Sequence, residues 1–345
     1  MPSPANNTVP TLETIPEQRR RGGRWLISLA VLLMWFAGLA LIALNWQSIE
    51  DWWKLRQYQV PAAIATLAEQ DTMTPYGRKV FYVNRPQIEN KQAFAKSCPR
   101  NGGERTIVLG CYHSGQSGIF LLRVDDPRLN GVVQVTAAHE MLHGAYERLG
   151  TAERKRVDSM LTDYYKNELK DRRILQTIEG YKQSEPKDVV NEMHSIFGTE
   201  IAQLPAGLEQ YYRQYFSNRA QIAAYASQYQ SEFTSREALV AQYDVQLSSL
   251  KSQIDTKENE LQARQVEISQ RQNELLARKN GGDTAGYNAG VTVYNGLVND
   301  YNAEVQTVRE LIAEYNRLVE QRNAVALEED QLVESLSSDD APSLR

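Results

Sequence analysis

Histidine and cysteine are scarce in this chain, and basic residues do not outnumber acidic ones. The 345 residues include four histidines and two cysteines, and the net charge is −5 at pH 7. This charge argues against a nucleic-acid partner, for which a basic face is expected. No CxxC pair or Cys/His cluster occurs, so a thiolate metal site is not expected. Hydrophobic residues make up 42% and charged residues 23% of the chain, which excludes a disordered chain and a multi-span membrane protein.

One stretch near the N-terminus carries no charged residue. The 20 residues from Trp25 to Leu44 read WLISLAVLLMWFAGLALIAL. As a helix they cover about 30 Å, which is the thickness of the hydrocarbon core of a bilayer. A cleaved signal peptide is the main alternative, but its apolar region is normally about 7–15 residues long and ends at a small-residue site. With Trp46, Trp52 and Trp53 suited to an interfacial aromatic belt, the sequence predicts an uncleaved transmembrane anchor at residues 25–46.

The charges around the predicted anchor indicate its orientation. Four arginines precede it, whereas acidic and basic residues roughly cancel after it. The positive-inside rule therefore predicts residues 1–24 as a cytoplasmic tail, which its composition favours as disordered, and everything beyond the anchor as extracytoplasmic. A disulfide between Cys98 and Cys111 is expected in that compartment, with two buried free thiols as the alternative.

Residues 47–225 are predicted to form an extracytoplasmic α+β domain. Residues 47–69 favour juxtamembrane helices, with Pro61 opening the second of them. Three runs rich in β-branched and aromatic residues predict strands, at residues 79–83, 105–110 and 118–124. Three helices are expected to follow, at residues 132–149 closed by Gly150, about 152–170 capped by Thr151, and 184–197 closed by Gly198.

The last third of the chain is polar, and its apolar residues recur every seven positions. The recurring residues are Phe233, Val240, Leu247, Ile254, Leu261, Ile268 and Leu275, and then Val291, Val298, Val305, Ile312 and Val319. Residues 280–284 interrupt the pattern with a glycine-containing turn. The pattern predicts an antiparallel coiled-coil hairpin over residues 226–336, followed by a disordered tail at 337–345. Such a hairpin either packs only on itself or serves as an arm for a protein partner.

Two of the four histidines lie in the segment His139-Glu140-Met141-Leu142-His143. On a helix His139 and His143 share one face, about 5–6 Å apart at their Cβ atoms, so both imidazoles can bind one zinc ion. Glu140 lies beside them, where it can accept a proton from the water that zinc activates. Chance would produce this pentapeptide in roughly a few of every thousand such chains. The sequence therefore predicts Zn²⁺ as cofactor, His139 and His143 as ligands, and Glu140 as the catalytic base.

A catalytic zinc site needs a third protein ligand. The segment Asn191-Glu192-Met193-His194-Ser195, together with the histidine pair, resembles the gluzincin metallopeptidases, including the thermolysin-like enzymes, over about residues 132–200. In that family a glutamate on a second helix completes the site. The resemblance therefore implies a zincin-like fold, with Glu192 as the third ligand. It also implies that strand 118–124 is a substrate-binding edge strand, which an extended peptide could join.

His194 and Glu200 are the alternative third ligands. A helix directs Glu192 and His194 about 200° apart, so only one of them can face the metal. Glu200, expected beyond the helix end, could instead orient one of the ligand histidines. Tyr181 and His113 are possible donors to an oxyanion, and Tyr146 is expected to contribute packing.

These features together predict a membrane-anchored extracytoplasmic zinc metallopeptidase with a protein or peptide substrate. Two other functions fit the same sequence. One is a zinc amidohydrolase that acts on cell-envelope material, because the same chemistry cleaves other amides. The other is a non-catalytic coiled-coil interaction protein, against which the intact Glu140 argues.

Overall fold

The computed structural model of the chain describes residue 1 and residues 10–13, 22–99 and 108–337. It is mostly helical and contains one small sheet. Two compact units are present, Met1–Gln59 and Val60–Arg345. Most of the predicted cytoplasmic tail, the first half of the predicted strand at 105–110, and all but the first residue of the C-terminal tail at 337–345 lie outside the described residues.

The first unit contains helices α1 (Gly22–Leu44) and α2 (Trp46–Arg56). Within α1, Trp25–Leu44 has a mean hydropathy of 2.5, and none of its most apolar window is buried. This segment is long and apolar enough to cross a membrane. Among the residues that the structure describes, one helix near the N-terminus is a candidate membrane span, and it lies where the sequence predicts the anchor.

Helix α3 (Ala62–Gln70) follows Pro61, as predicted, and helix α4 (Pro75–Val83) comes next. The predicted strand at 79–83 is wrong, because these residues form the second half of α4. The hydroxyl of Thr74 accepts a hydrogen bond from the amide of Gly77, and Pro75 occupies the first turn. This helix start outweighs the β propensity of the run, which is a weak and context-dependent preference.

The sheet contains strands β1 (Gln87–Glu89), β2 (Gly110–His113) and β3 (Gly118–Leu122), with helix α5 (Lys91–Ser97) between β1 and β2. Strand β3 confirms the prediction at 118–124, but it is the central strand, parallel to β1 and antiparallel to β2. The prediction of an edge strand there is therefore wrong. Strand β2, which a tight turn connects to β3, pairs with one edge of β3, and β1 pairs with the opposite edge.

The sulfur atoms of Cys98, which follows α5, and Cys111, in β2, lie at disulfide distance, 1.99 Å. The expected pairing of the two cysteines is thus confirmed. Because one partner lies within β2, the bond connects this strand to the end of α5.

A 3-10 helix (Pro127–Leu129) leads into the helical part of the unit. Five helices follow it: α6 (Val132–Glu147), α7 (Thr151–Asn167), α8 (Arg172–Ser184), α9 (Val189–Glu200) and α10 (Ala206–Tyr212). The sequence predicts α6 and α7 within a few residues but misses α8 as a separate helix. Gly150 is extended and precedes α7, so its prediction as the cap of α6 is wrong; α6 ends through ordinary right-handed residues instead.

Helix α9 continues through Gly198 to Glu200, although the sequence predicts that this glycine ends the helix. A Cβ atom at Gly198 would collide with Cδ1 of Leu142 in α6 and would lie 2.8 Å from Cε1 of Tyr212. The glycine is therefore used for close helix packing and not as a terminator. It allows α9 to lie directly against α6.

Helices α11 (Arg219–Asn280) and α12 (Thr284–Leu336) form the long hairpin. They run antiparallel, since Lys257 pairs with Glu304 at 3.1 Å, whereas Arg236, earlier in α11, pairs with Glu328, later in α12, at 3.4 Å. The predicted turn at 280–284 is confirmed.

The packed seam of α12 departs from the predicted register. Ile312 is 38% exposed, so its predicted place in the seam is wrong, whereas Leu318, one position before the predicted Val319, is buried. Strict seven-residue spacing drifts around a helix of 3.6 residues per turn, and the contacting positions shift accordingly.

The base of the hairpin packs on the preceding helices. Leu332 and Leu336 of α12 contact Leu129 of the 3-10 helix and Val132 at the start of α6. Arg219, the first residue of α11, is 5% exposed. Its guanidinium donates to backbone carbonyls at the end of α9 and just beyond, and pairs with a carboxylate of α10; the acceptors are Phe197 (3.4 Å), Ala202 (3.1 Å), Ile201 and Glu209.

We expect Gly198→Ala to destabilise the chain by about 1–3 kcal/mol, because the added methyl group overpacks the α6–α9 contact. The matched control is Gly180→Ala in α8, where a Cβ atom meets nothing within 4 Å. That change should stabilise the chain by about 0.4–1 kcal/mol. Urea unfolding of the detergent-purified chain, followed by circular dichroism, measures both shifts. Equal shifts of the two variants would contradict the packing role of Gly198.

Candidate metal centre

Helices α6 and α9 bring three potential metal ligands together. His139 and His143 lie one turn apart on α6, and Glu192 lies on the facing side of α9. The Nε2 atom of His139 is 3.5 Å from Oε2 of Glu192, and Nε2 of His143 is 3.5 Å from Oε1. One ligand atom from each residue lies within 4.8 Å of the other two. The three residues could therefore hold a metal ion.

The surroundings of the Glu192 carboxylate fit a bound cation. Glu192 is 8% exposed, and its Oε2 atom has no hydrogen-bond partner among the described residues. The 3.5 Å separations from the imidazoles exceed the usual N–H···O distance of about 2.7–3.2 Å. A buried carboxylate oxygen without a hydrogen-bond partner is costly, and a metal ion would satisfy it. Two imidazoles and one carboxylate are a ligand set that binds zinc in proteins.

The neighbours of Glu192 favour its ionised form. Burial raises the pKa of this carboxyl group, but His143, His139 and a hydrogen bond from Tyr181 together outweigh it, so its pKa lies below the ordinary value. Tyr181, on α8, therefore lies at the candidate site, as its predicted role requires. His113 does not: its ring contacts Phe120 and the sulfur of Cys111 instead.

Glu140 lies beside the ligands and is 6% exposed. Burial raises the pKa of its carboxyl group to about 7, with an opposing effect from His143 and a reinforcing one from Glu192. The carboxylate contacts the backbone of β2, since a Cβ atom at Gly110 would be 2.9 Å from Oε1 of Glu140. Glu140 is thus held next to the cluster without belonging to it.

Strand β2 lies along the face of α6 that carries the ligands. The ring of Tyr112 stacks on His143 with 6.4 Å between the centroids, and its hydroxyl donates to Glu147 near the end of α6. Glu147 also accepts the amide of Gly115, in the turn between β2 and β3, at 3.0 Å. Sequence reasoning missed Tyr112, because its position depends on the docking of the sheet on α6, for which the local pattern has no signal.

His194, one of the two alternative third ligands, points away from the histidine pair. Its side chain is fully buried, and its Nε2 atom lies 2.8 Å from the hydroxyl of Tyr211. The pKa of the His194 imidazole lies well below its ordinary value, chiefly because of burial, so the ring is neutral. Four tyrosine rings surround it, those of Tyr146, Tyr211, Tyr212 and Tyr215. His194 therefore packs among these tyrosines and does not belong to the ligand cluster.

Glu200, the other alternative ligand, is committed elsewhere. Its carboxylate pairs with Arg173 at 2.7 Å and accepts a hydrogen bond from Gln230 at 3.0 Å. Tyr146 donates to Asp158 at 2.7 Å and contacts His194, which agrees with the predicted packing role. The structure thus brings Glu192, and neither alternative, to the two histidines.

We expect Glu192→Ala to lose the bound metal, because two imidazoles alone make an incomplete site. Glu200→Ala is the matched control, since it removes a carboxylate from the same helix without touching the histidines. Metal content of the purified chain, measured by inductively coupled plasma mass spectrometry, should fall to background in the first variant only. Equal metal content in wild type and Glu192→Ala would exclude Glu192 as a ligand.

The chain matches no protein-family model, no curated protein and no solved structure. Its resemblance to the gluzincins is therefore a prediction from two short segments, around His139–His143 and around Glu192. The candidate metal centre rests on its own geometry.

Proposed function

We propose that this chain is a membrane-anchored zinc hydrolase that cleaves peptide bonds outside the cytoplasm. The observation that carries the proposal is the place of Glu140. A carboxylate that is not a ligand lies buried beside the His139, His143 and Glu192 cluster. A purely structural metal site has no use for such a group, whereas hydrolysis needs a base at this place.

The chain's own residues divide the work of hydrolysis. His139, His143 and Glu192 would hold the metal, and Glu140 would accept a proton from the attacking water and pass it to the leaving amine. When bound, zinc lowers the pKa of water and polarises a carbonyl group. Tyr181 lies at the site, where it forms a hydrogen bond with Glu192. It is the candidate donor to the oxygen that becomes negative in the transition state.

Strand β2 supports a peptide as substrate. In the part of the chain that the structure describes, β2 pairs with β3 on one side only. Gly110 and Tyr112 of β2 lie against Glu140 and His143. An extended peptide that added to the other side of β2 by main-chain hydrogen bonds would pass the catalytic groups. This assignment replaces the expectation that β3 receives the substrate.

Two features support an extracytoplasmic site. The arginines that precede the candidate span favour a cytoplasmic N-terminus. The Cys98–Cys111 pair, at disulfide distance, suits an oxidising compartment.

We expect Glu140→Gln to retain the metal and to lose hydrolysis by about 10²–10⁴-fold, because the amide cannot accept the proton. Glu237→Gln, which changes an exposed carboxylate of α11, is the control. Cleavage of a fluorogenic peptide library and metal content are measured on the same samples. Full activity in Glu140→Gln would refute the proposed mechanism. If the wild-type chain cleaved amide bonds of cell-envelope material but no peptides, the protein would be an amidohydrolase and not a peptidase.

Gly110→Ala tests the contact between β2 and the base. The new methyl group would press on Glu140 and on the side chain of Thr136. A displacement of a catalytic group by about 1 Å can cost about 10²-fold in rate, so a loss of this size is expected at unchanged metal content. Gly150→Ala, where a Cβ atom has open space, is the control. A fully active Gly110→Ala variant would show that Glu140 does not act from this position.

A further inference from the structure

Helix α2 carries its apolar and polar residues on opposite faces, and the apolar face is the exposed one. At 100° per residue, Trp46, Ile49 and Trp53 share one face, with Trp52 on its flank. These side chains are exposed by 62%, 45%, 59% and 56%, in that order. Asp51 lies on the opposite face and is only 1% exposed.

The polar face of α2 is ordered by its own contacts. The amide of Gln47 donates to the carboxylate of Asp51 at 3.3 Å, and Lys54 pairs with Glu50 at 3.0 Å. In water an amphipathic helix buries its apolar face and exposes its charges. Helix α2 instead leaves its apolar face exposed and buries Asp51, so water is not the natural surrounding of its tryptophan face.

A lipid surface fits this face better than a protein partner does. Only Asn45 separates α2 from the candidate membrane span, so the helix begins where the hydrocarbon core ends. Tryptophan combines an apolar ring with an N–H donor and concentrates at that depth in membrane proteins. Arg56 adds a cation, which lies 5.2 Å from the ring centroid of Trp52 and can bind lipid phosphate.

We propose that α2 lies along the headgroup region of the bilayer with Trp46, Ile49 and Trp53 directed toward the acyl chains. The chain then has two kinds of membrane contact, a span and a surface helix. This inference does not depend on the metal centre or on hydrolysis.

Spin labels at two positions of α2 test the orientation. Ile49→Cys places the label on the apolar face and Gln47→Cys places it on the polar face, at nearly the same point along the helix. Each full-length variant is labelled without reduction, to keep Cys98–Cys111 paired, and is reconstituted in vesicles of phosphatidylcholine and phosphatidylglycerol. Val245→Cys in α11, where the side chain is 72% exposed, is the water reference.

Power saturation measures how often each spin label collides with oxygen, which is enriched in the bilayer, and with a nickel complex, which is soluble in water. We expect the oxygen-to-nickel collision ratio at residue 49 to exceed that at residue 47 several-fold, with residue 245 at the low limit. Equal ratios at 47 and 49 would overturn the proposal, because a helix that leaves the membrane upright exposes both positions equally. A low ratio at 49 with strong spin–spin broadening would also overturn it, in favour of a second copy of the chain on this face.

Discussion

The candidate metal centre depends on how closely α6 and α9 approach each other. Helices usually pack with their axes about 8–10 Å apart, and small side chains at the contact permit the short end of this range. Gly198 removes the side chain that would collide with Leu142. The approach sets Glu192 opposite His139 and His143, although almost fifty residues of chain separate the two segments. A packing feature of α9 thus determines the geometry of the site.

The site also concentrates charge where solvent is scarce. Glu140 and Glu192 are both almost fully buried, and burial opposes ionisation of each. Two negative groups at short range in a medium of low dielectric constant are unfavourable unless cations balance them. A divalent ion would balance both. Burial raises the pKa of Glu140 to about 7, so the stability of the apoprotein falls as the pH rises from the ordinary carboxyl range toward 7.

The parts of the fold that local periodicity determines could be predicted from the sequence. Four-residue spacing puts His139 and His143 on one face of α6. Two-residue spacing directs Glu192 and His194 about 200° apart around α9. Seven-residue spacing predicted the hairpin and its turn. The register failed at Ile312, because contacts between two helices, and not the repeat alone, select the buried positions.

Other parts depend on contacts between distant segments and could not be predicted. The run at 79–83 has strand-forming residues, but the cap at Thr74 and packing of its apolar residues make it a helix. The central place of β3 follows from pairing with β1, which is only three residues long. Tyr112 reaches His143 only when the sheet docks on α6. Tyr211 reaches His194 only when α10 docks on α9. No single-segment pattern contains this information.

The buried guanidinium of Arg219 has a consequence for how the molecule unfolds. It belongs to the first turn of α11, yet its acceptors are at the end of α9 and in α10. Separating these elements would break several hydrogen bonds to a charged group, each of which contributes about 1.5–3 kcal/mol. The base of the hairpin and the helix that carries Glu192 therefore open together as one cooperative block. The end of the hairpin near the turn at 280–284 does not take part in the Arg219 contacts. It can therefore fray while the helices that carry the metal ligands stay folded.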